Sequence, residues 1–279
     1  MTKIDSHQHF WRYNVAEYPW LGDTMSVLHR DFLPEHLTPE MSKANIGGVV
    51  SVEARAQTEE TRWLLELART NQFIRGVVGW VPLASPSVAG ELEEFSSESN
   101  LKGVRYALQG EPDDMFMLRE DFNAGVSLLQ SFNLTYDLLI VEKLLPQTIA
   151  FVDRHPQQPF ILDHIAKPRI TGGVIEPWRT NLRELARRDN VCCKISGLVT
   201  EADFAGWTEA QLAPYFETVL ETFGAKRLMF GSDWPVCTVA CEYERWHAIV
   251  DRWVGRLSVP EQEEVLGGTA VRAYNLTEE

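Results

Sequence analysis

Eight short β-rich runs, each followed by a stretch of helical period, fill 279 residues without a linker and predict a single (β/α)8 TIM barrel occupying residues 1–279. The runs recur at intervals of roughly 25 to 45 residues, the spacing of strand–helix units. The length lies close to the ~250 residues typical of such a barrel. No Pro/Ser-rich tract, low-complexity segment or charge block divides the chain. A doubly wound sheet is the alternative that the same alternation allows.

The first strand is read from KIDSHQHF (3–10), where side chains two apart share a face, so that Asp5, His7 and His9 are expected on one side. The connection from Phe10 to Gly47 is long and carries Trp11, Tyr13, Tyr18 and Trp20, which suits a lid or substrate-binding element. Strand 2 is GGVVSVEAR (47–55). A helix follows over TEETRWLLELARTN, with Thr58 as its cap, Glu59 and Glu60 at its positive end, and Trp63, Leu64, Leu67 and Ala68 on one face. Strands 3 to 7 are IRGVVGWVPL (74–83), LKGVRY (101–106), LTYDLLI (134–140), PFILDHIA (159–166) and VCCKISG (191–197). The next helix opens with Thr208 and Gln211 in capping-box spacing, and Pro214 threatens to break or kink it. Strand 8 is RLMFGSDWP (227–235). Ser258 and Glu261 repeat the capping-box spacing, and Gly267 and Gly268 are expected to break the chain before a last short helix.

Composition narrows the function. The 26 basic and 40 acidic residues give a net charge of −14, which repels phosphate backbones and anionic membranes and argues against nucleic-acid or membrane partners. The N-terminus has no apolar secretion signal, and no apolar run approaches the ~18 residues of a transmembrane helix. Cys192, Cys193, Cys237 and Cys241 lack C-x-x-C spacing and read as small apolar residues in a reducing compartment. Together these imply a cytoplasmic protein. The oligomeric state has no signature.

In a barrel the chemistry collects at the C-terminal ends of the strands. His7 and His9 stand at the end of strand 1, Glu53 and Arg55 at strand 2, Trp80 at strand 3, Arg105 and Tyr106 at strand 4, and Asp137 on strand 5. Asp163 and His164 follow on strand 6, Lys194 and Ser196 on strand 7, Ser232 and Asp233 on strand 8. Each alone is weak. Jointly, the H-x-H pair, a histidine from strand 6 and an aspartate from strand 8 form a ring around one pocket. An extended strand through Asp163 and His164 would point only one of them inward.

DSHQHFW at the start, LDHIAKP at 162–168, GSDWPV at 231–236 and GGTAVRAYNL at 267–276 resemble the amidohydrolase superfamily, in its amidohydrolase-related (type 2) branch. HQHFW with YPWL, KGVRY and KISGL look like its lactonase group, which acts on L-fucono-, L-rhamnono- and pyrone-dicarboxylate lactones. The resemblance implies a hydrolase in carbohydrate catabolism that opens an aldonolactone, with Asp233 as the general base. A metal-dependent decarboxylase of the same branch, or a pyrone- or muconolactone-type lactonase, is the alternative.

Polarisation of the lactone carbonyl is then expected from His164 and Arg105, or from one divalent cation, zinc or manganese, held by His7 and His9 with Asp233. Metal-dependent relatives carry a histidine or modified lysine on strand 5. LTYDLLI has neither, which leaves Asp137 or Glu53 as substitutes and keeps a metal-free route open. Trp11, Trp80 and Trp234 are expected to stack on a sugar ring while Glu53, Arg105 and Lys167 bind its polar atoms. A dicarboxylate would call for several converging arginines, and only Arg12, Arg55, Arg105 and Arg169 lie near the strand ends, so a neutral sugar lactone is favoured.

Overall fold

A computed structural model describes residues 1–277. Eight parallel strands pair in chain order: β1 (Ile4–Gln8), β2 (Gly48–Val52), β3 (Ile74–Gly79), β4 (Leu101–Tyr106), β5 (Thr135–Leu138), β6 (Phe160–Leu162), β7 (Val191–Ile195) and β8 (Leu228–Phe230). The seam between β8 and β1 is closed by residues just beyond β8. Asp233 N–H donates to the His7 carbonyl at 2.8 Å, and His9 N–H donates to the Trp234 carbonyl at 2.7 Å. Residues that close the barrel are thereby among the candidate site residues of the sequence analysis.

Outside the strands run α1 (Pro34–Ala44), α2 (Thr58–Thr70), α3 (Val88–Glu94), α4 (Glu120–Leu129), α5 (Leu145–Arg154), α6 (Trp178–Leu185), α7 (Glu209–Phe223) and α8 (Tyr243–Val254). Two apolar layers result. Side chains such as Val49, Val77, Tyr136, Phe160 and Phe230 pack outward beneath the helices, while Ile4, Val50, Val52, Val78, Ile161 and Met229 fill the lower interior with Tyr274 and Leu276. The chain ends in two short helices, α9 (Val259–Glu263) and α10 (Thr269–Ala273), beneath the barrel.

Several local expectations need correction. The N-cap of α2 is Gln57, and Thr58 is already helical. The Thr208–Gln211 and Ser258–Glu261 capping boxes form, but Pro214 lies inside α7, where the buried face of Leu212, Tyr215, Phe216 and Val219 holds the helix together. Gly267 and Gly268 do not break the chain. They complete a wide helical turn (Glu264–Gly268) that runs into α10, and a Cβ at Gly267 would stand 2.5 Å from the Thr2 carbonyl oxygen. The three residues Asp5, His7 and His9 do not share a face. The register of β1 against β2 slips by one residue between Asp5 and Gln8, so Asp5 turns to Tyr243 on α8 (Oη to Oδ2, 3.0 Å) while both histidines turn inward.

The long first connection folds over the mouth of the barrel. Trp11 and Phe32 exchange two backbone hydrogen bonds of 2.9 Å, and the Trp11 indole is fully buried against Tyr18, Trp20 and Phe32. Its N–H donates to the Arg30 carbonyl at 3.0 Å. The connection is tied to the segment after β2, with Trp20 Nε1 donating to Ala54 O at 2.9 Å and Tyr18 Oη donating to Glu60 at 3.3 Å. Arg55 joins Glu60 to Glu17.

Glu60 is fully buried, and burial pushes its carboxyl up to about 7 despite hydrogen bonds from the Ala54 and Arg55 amides. A carboxyl raised from 4.5 stabilises the fold below that pH, and this contribution is lost as pH rises to 7. Glu60→Gln stays uncharged throughout, so the stability difference should move in the variant's favour by on the order of 3 kcal/mol between pH 4.5 and 7. Denaturant titration across that range checks it, and parallel pH curves would contradict it.

Candidate active site

The strand ends place His7, His9, His164 and Asp233 together at the C-terminal mouth. His9 donates Nδ1–H to the Val52 carbonyl at 2.8 Å, which aims Nε2 inward, 3.1 Å from His7 Nε2 and 3.4 Å from Asp233 Oδ1. His7 Nε2 and His164 Nε2 stand 3.7 and 4.0 Å from the same oxygen. Burial, only partly offset by neighbouring carboxylates, lowers His7 well below its usual value and His164 to about 4, so both imidazoles present lone pairs near neutrality. Although burial would raise Asp233, His164, His7 and His9 hold its carboxyl well below the ordinary range.

His164 reaches this cluster through a local break in the strand. β6 ends at Leu162, and His164, Ile165, Ala166 and Lys167 all take left-handed backbone angles, with φ of 51°, 50°, 63° and 46°. Such conformations cost roughly 1–3 kcal/mol each for non-glycine residues. The Trp178 indole caps the Ile165 carbonyl at 2.7 Å and helps hold the turn. Because the chain is coiled here, Asp163 and His164 both face the interior, which corrects the extended-strand expectation. Asp233, at φ 58°, is a second left-handed site residue.

A buried polar network lies beneath. Lys194 on β7 contacts Asp137 at 2.5 Å, Asp163 at 2.8 Å and His7 Nδ1 at 3.1 Å. Asp163 also meets His7 Nδ1 at 3.3 Å and Arg105 at 3.0 Å. Burial alone would raise Asp163, but Lys194, His7 and Arg105 keep it well below the usual carboxylate range. Arg105 bonds Glu53 Oε1 at 2.7 Å and also the Glu53 carbonyl. Two cationic side chains thus bind three carboxylates, Glu53, Asp137 and Asp163, and a fourth, Asp233, has only histidines beside it.

That surplus, with lone pairs converging above it, suits a divalent cation. The ligand atoms of His7, His164 and Asp233 all lie within 4.8 Å of one another, and imidazole with carboxylate is an ordinary donor set for zinc. The group shares His7 and Asp233 with the expected set and brings in His164, while His9 Nε2 flanks it, 3.1 Å from His7 Nε2 and 3.4 Å from Asp233 Oδ1. Asp137 and Glu53 do not serve as third ligands, since Asp137 is taken by Lys194 and Tyr274 (2.6 Å) and Glu53 by Arg105.

The other expected contacts divide. Arg105 and Glu53 are paired with each other, and Arg105 Nη1 also stands 3.4 Å from His7 Nε2 at the edge of the cluster. Trp11 is buried under the first connection, and Trp234 is buried against Phe10 and Phe32, so neither offers a ring face. Trp80, partly exposed beside Tyr106, and Lys167 remain at the rim. Sequence reasoning missed two glycines: a Cβ on Gly197 would stand 2.7 Å from the His164 ring, and one on Gly231 would stand 2.9 Å from His7 Cβ. Their signal in the sequence is a glycine within two residues of the end of each of two consecutive strands, Gly197 after β7 and Gly231 after β8.

The amidohydrolase family profile matches residues 4–276. The chain is 44% identical to an L-fucono-1,5-lactonase of Burkholderia multivorans, covering 99% of this chain and 97% of the relative. It is 33% identical to an L-fucono-1,5-lactonase of Burkholderia ambifaria, covering 98% and 96%. An amidohydrolase from Burkholderia multivorans solved with bound zinc superposes with a TM-score of 0.96 at 43% identity, covering 99% of this chain and 100% of that one.

Ser196 Oγ shares a hydrogen bond of 2.9 Å with His164 Nδ1 and orients the ring. Ser196→Ala is expected to weaken zinc binding roughly ten- to a hundredfold, measured by competition with a chromogenic chelator. Unchanged affinity would remove Ser196 from the orienting role.

Proposed function

The chain belongs to the amidohydrolase family, and on that premise we propose that it hydrolyses a neutral sugar lactone, an aldonolactone such as L-fucono-1,5-lactone. The observation that carries the substrate is the 44% identity, over nearly the whole of both chains, to an L-fucono-1,5-lactonase. The mouth supports a neutral ligand. Of the arginines near it, Arg55 is paired with Glu60 and Glu17, Arg105 with Glu53 and Asp163, and Arg169 with Glu142, while Arg12 lies 6.0 Å over the Trp63 ring. Of these four, only Arg12 lacks a carboxylate partner among the described residues.

Asp233 is the general base. Its carboxylate stays ionised among the imidazoles, accepts a proton from the attacking water, and returns it to the alkoxide released as the ring opens. Its main chain is pinned to His7 across the barrel seam, so the base is placed by the closure of the fold. His7, His164 and Asp233 would hold the divalent ion, with His9 beside them. Zinc is preferred over manganese because the donors include imidazoles and because the similar Burkholderia multivorans structure contains zinc. When bound, such an ion supplies Lewis-acid polarisation of the lactone carbonyl. The first connection, folded over these groups, keeps bulk water away from them.

Asp233→Asn should lower kcat on L-fucono-1,5-lactone by about a thousandfold while the protein stays folded, and wild-type turnover would sink the assignment of the base. Chelated protein should lose activity and recover it with zinc. Full activity in metal-free protein, verified by elemental analysis, would rule out an essential cation.

A further inference from the structure

Lys167 and Glu201 stand apart from the saturated network below them. Lys167 ends the left-handed turn after β6, with its N–H held by the His164 carbonyl at 2.8 Å. Glu201 lies on the loop after β7, and its carbonyl accepts from Thr171 N–H at 3.1 Å and Thr171 Oγ at 3.0 Å. Both backbones are therefore fixed. Their side chains remain 21% and 26% exposed, against 0–6% for the histidines and Asp233.

Nζ and Oε1 are 3.8 Å apart, an ion pair too long for a hydrogen bond. Burial raises the Glu201 carboxyl, Lys167 opposes the rise, and the charge of Asp233 adds to it, so that Glu201 lies within electrostatic reach of both. A hydroxyl placed between the two would accept from the ammonium and donate to the carboxylate, satisfying both.

The geometry points to Lys167 and Glu201 as a hydroxyl-reading clamp that brackets one ring hydroxyl of the lactone and sets specificity for polyhydroxylated rings. This rests on the lactonase reading above. Glu201 thereby becomes a specificity residue that nothing in the sequence pattern singles out, and Lys167 acquires a stated partner.

The test measures kcat/KM of wild type, Glu201→Gln and Lys167→Met on L-fucono-1,5-lactone and on its 2-, 3- and 4-deoxy analogues. A charged hydrogen bond to a hydroxyl predicts a loss of roughly ten- to a hundredfold for each variant on the parent lactone. On one deoxy analogue, and only one, wild type and variants should agree within about threefold, because the contact is already gone. Melting temperatures should stay within about 2 °C of wild type, as expected for partly exposed side chains outside the packed core. Equal losses on every analogue, or no loss on the parent, would overturn the clamp while leaving the lactonase reading intact. A wild-type protein that turns over none of the four lactones would overturn both.

Discussion

Everything at the mouth of this barrel depends on how it carries charge where water does not reach. Glu53, Asp137, Asp163 and Asp233 are buried, and isolated carboxylates cannot remain ionised in such surroundings. Lys194 and Arg105 answer the constraint from inside. Each binds two carboxylates, and Asp163, shared by both, passes the network on to His7. Removing one member would leave another charged and unpaired, the costly case for buried ions. The network is thus both the floor of the site and the reason His7 is held at a fixed position, while the Val52 carbonyl and Ser196 fix His9 and His164.

Geometry completes what charge begins. The barrel has to be closed between β8 and β1, and the closing hydrogen bonds come from Asp233 and His9, so the position of the proposed base is a by-product of closure. The left-handed turn after β6 stores strain, and the surrounding packing sustains it because that turn delivers Asp163 and His164 to the same side. Gly197 and Gly231 give the two rings room against the backbone. The first connection then covers the cluster and is tied down by Tyr18, Trp20 and Arg55.

All eight strands were legible in the sequence, because a period of β-rich runs and intervening amphipathic helices survives any local irregularity. Their ends were less legible. The runs at 74–83 and 159–166 look extended from composition, yet β3 stops at Gly79 and β6 at Leu162, since left-handed turns and loops built from ordinary residues leave no mark in a hydrophobicity pattern. The bulge in β1 was invisible for the same reason, and it reversed the side of Asp5. Among the site residues, the histidines and Asp233 could be found because strand ends concentrate chemistry. The pairing of Arg105 with Glu53 was not legible, because a buried pair and a substrate contact use the same side chains, and the burial of Trp11 and Trp234 was not, because the sequence does not show which face of an indole is covered.

The proposed centre of the site is a divalent cation on which the inward lone pairs of His7 and His164 and the Asp233 carboxylate converge. Anomalous diffraction at the zinc absorption edge, from crystals grown with zinc, tests it directly. A single strong peak is expected within about 2.0–2.2 Å of His7 Nε2, His164 Nε2 and an Asp233 oxygen. A zinc-loaded crystal with no peak at that cluster, or with its peak only at other residues, would contradict it.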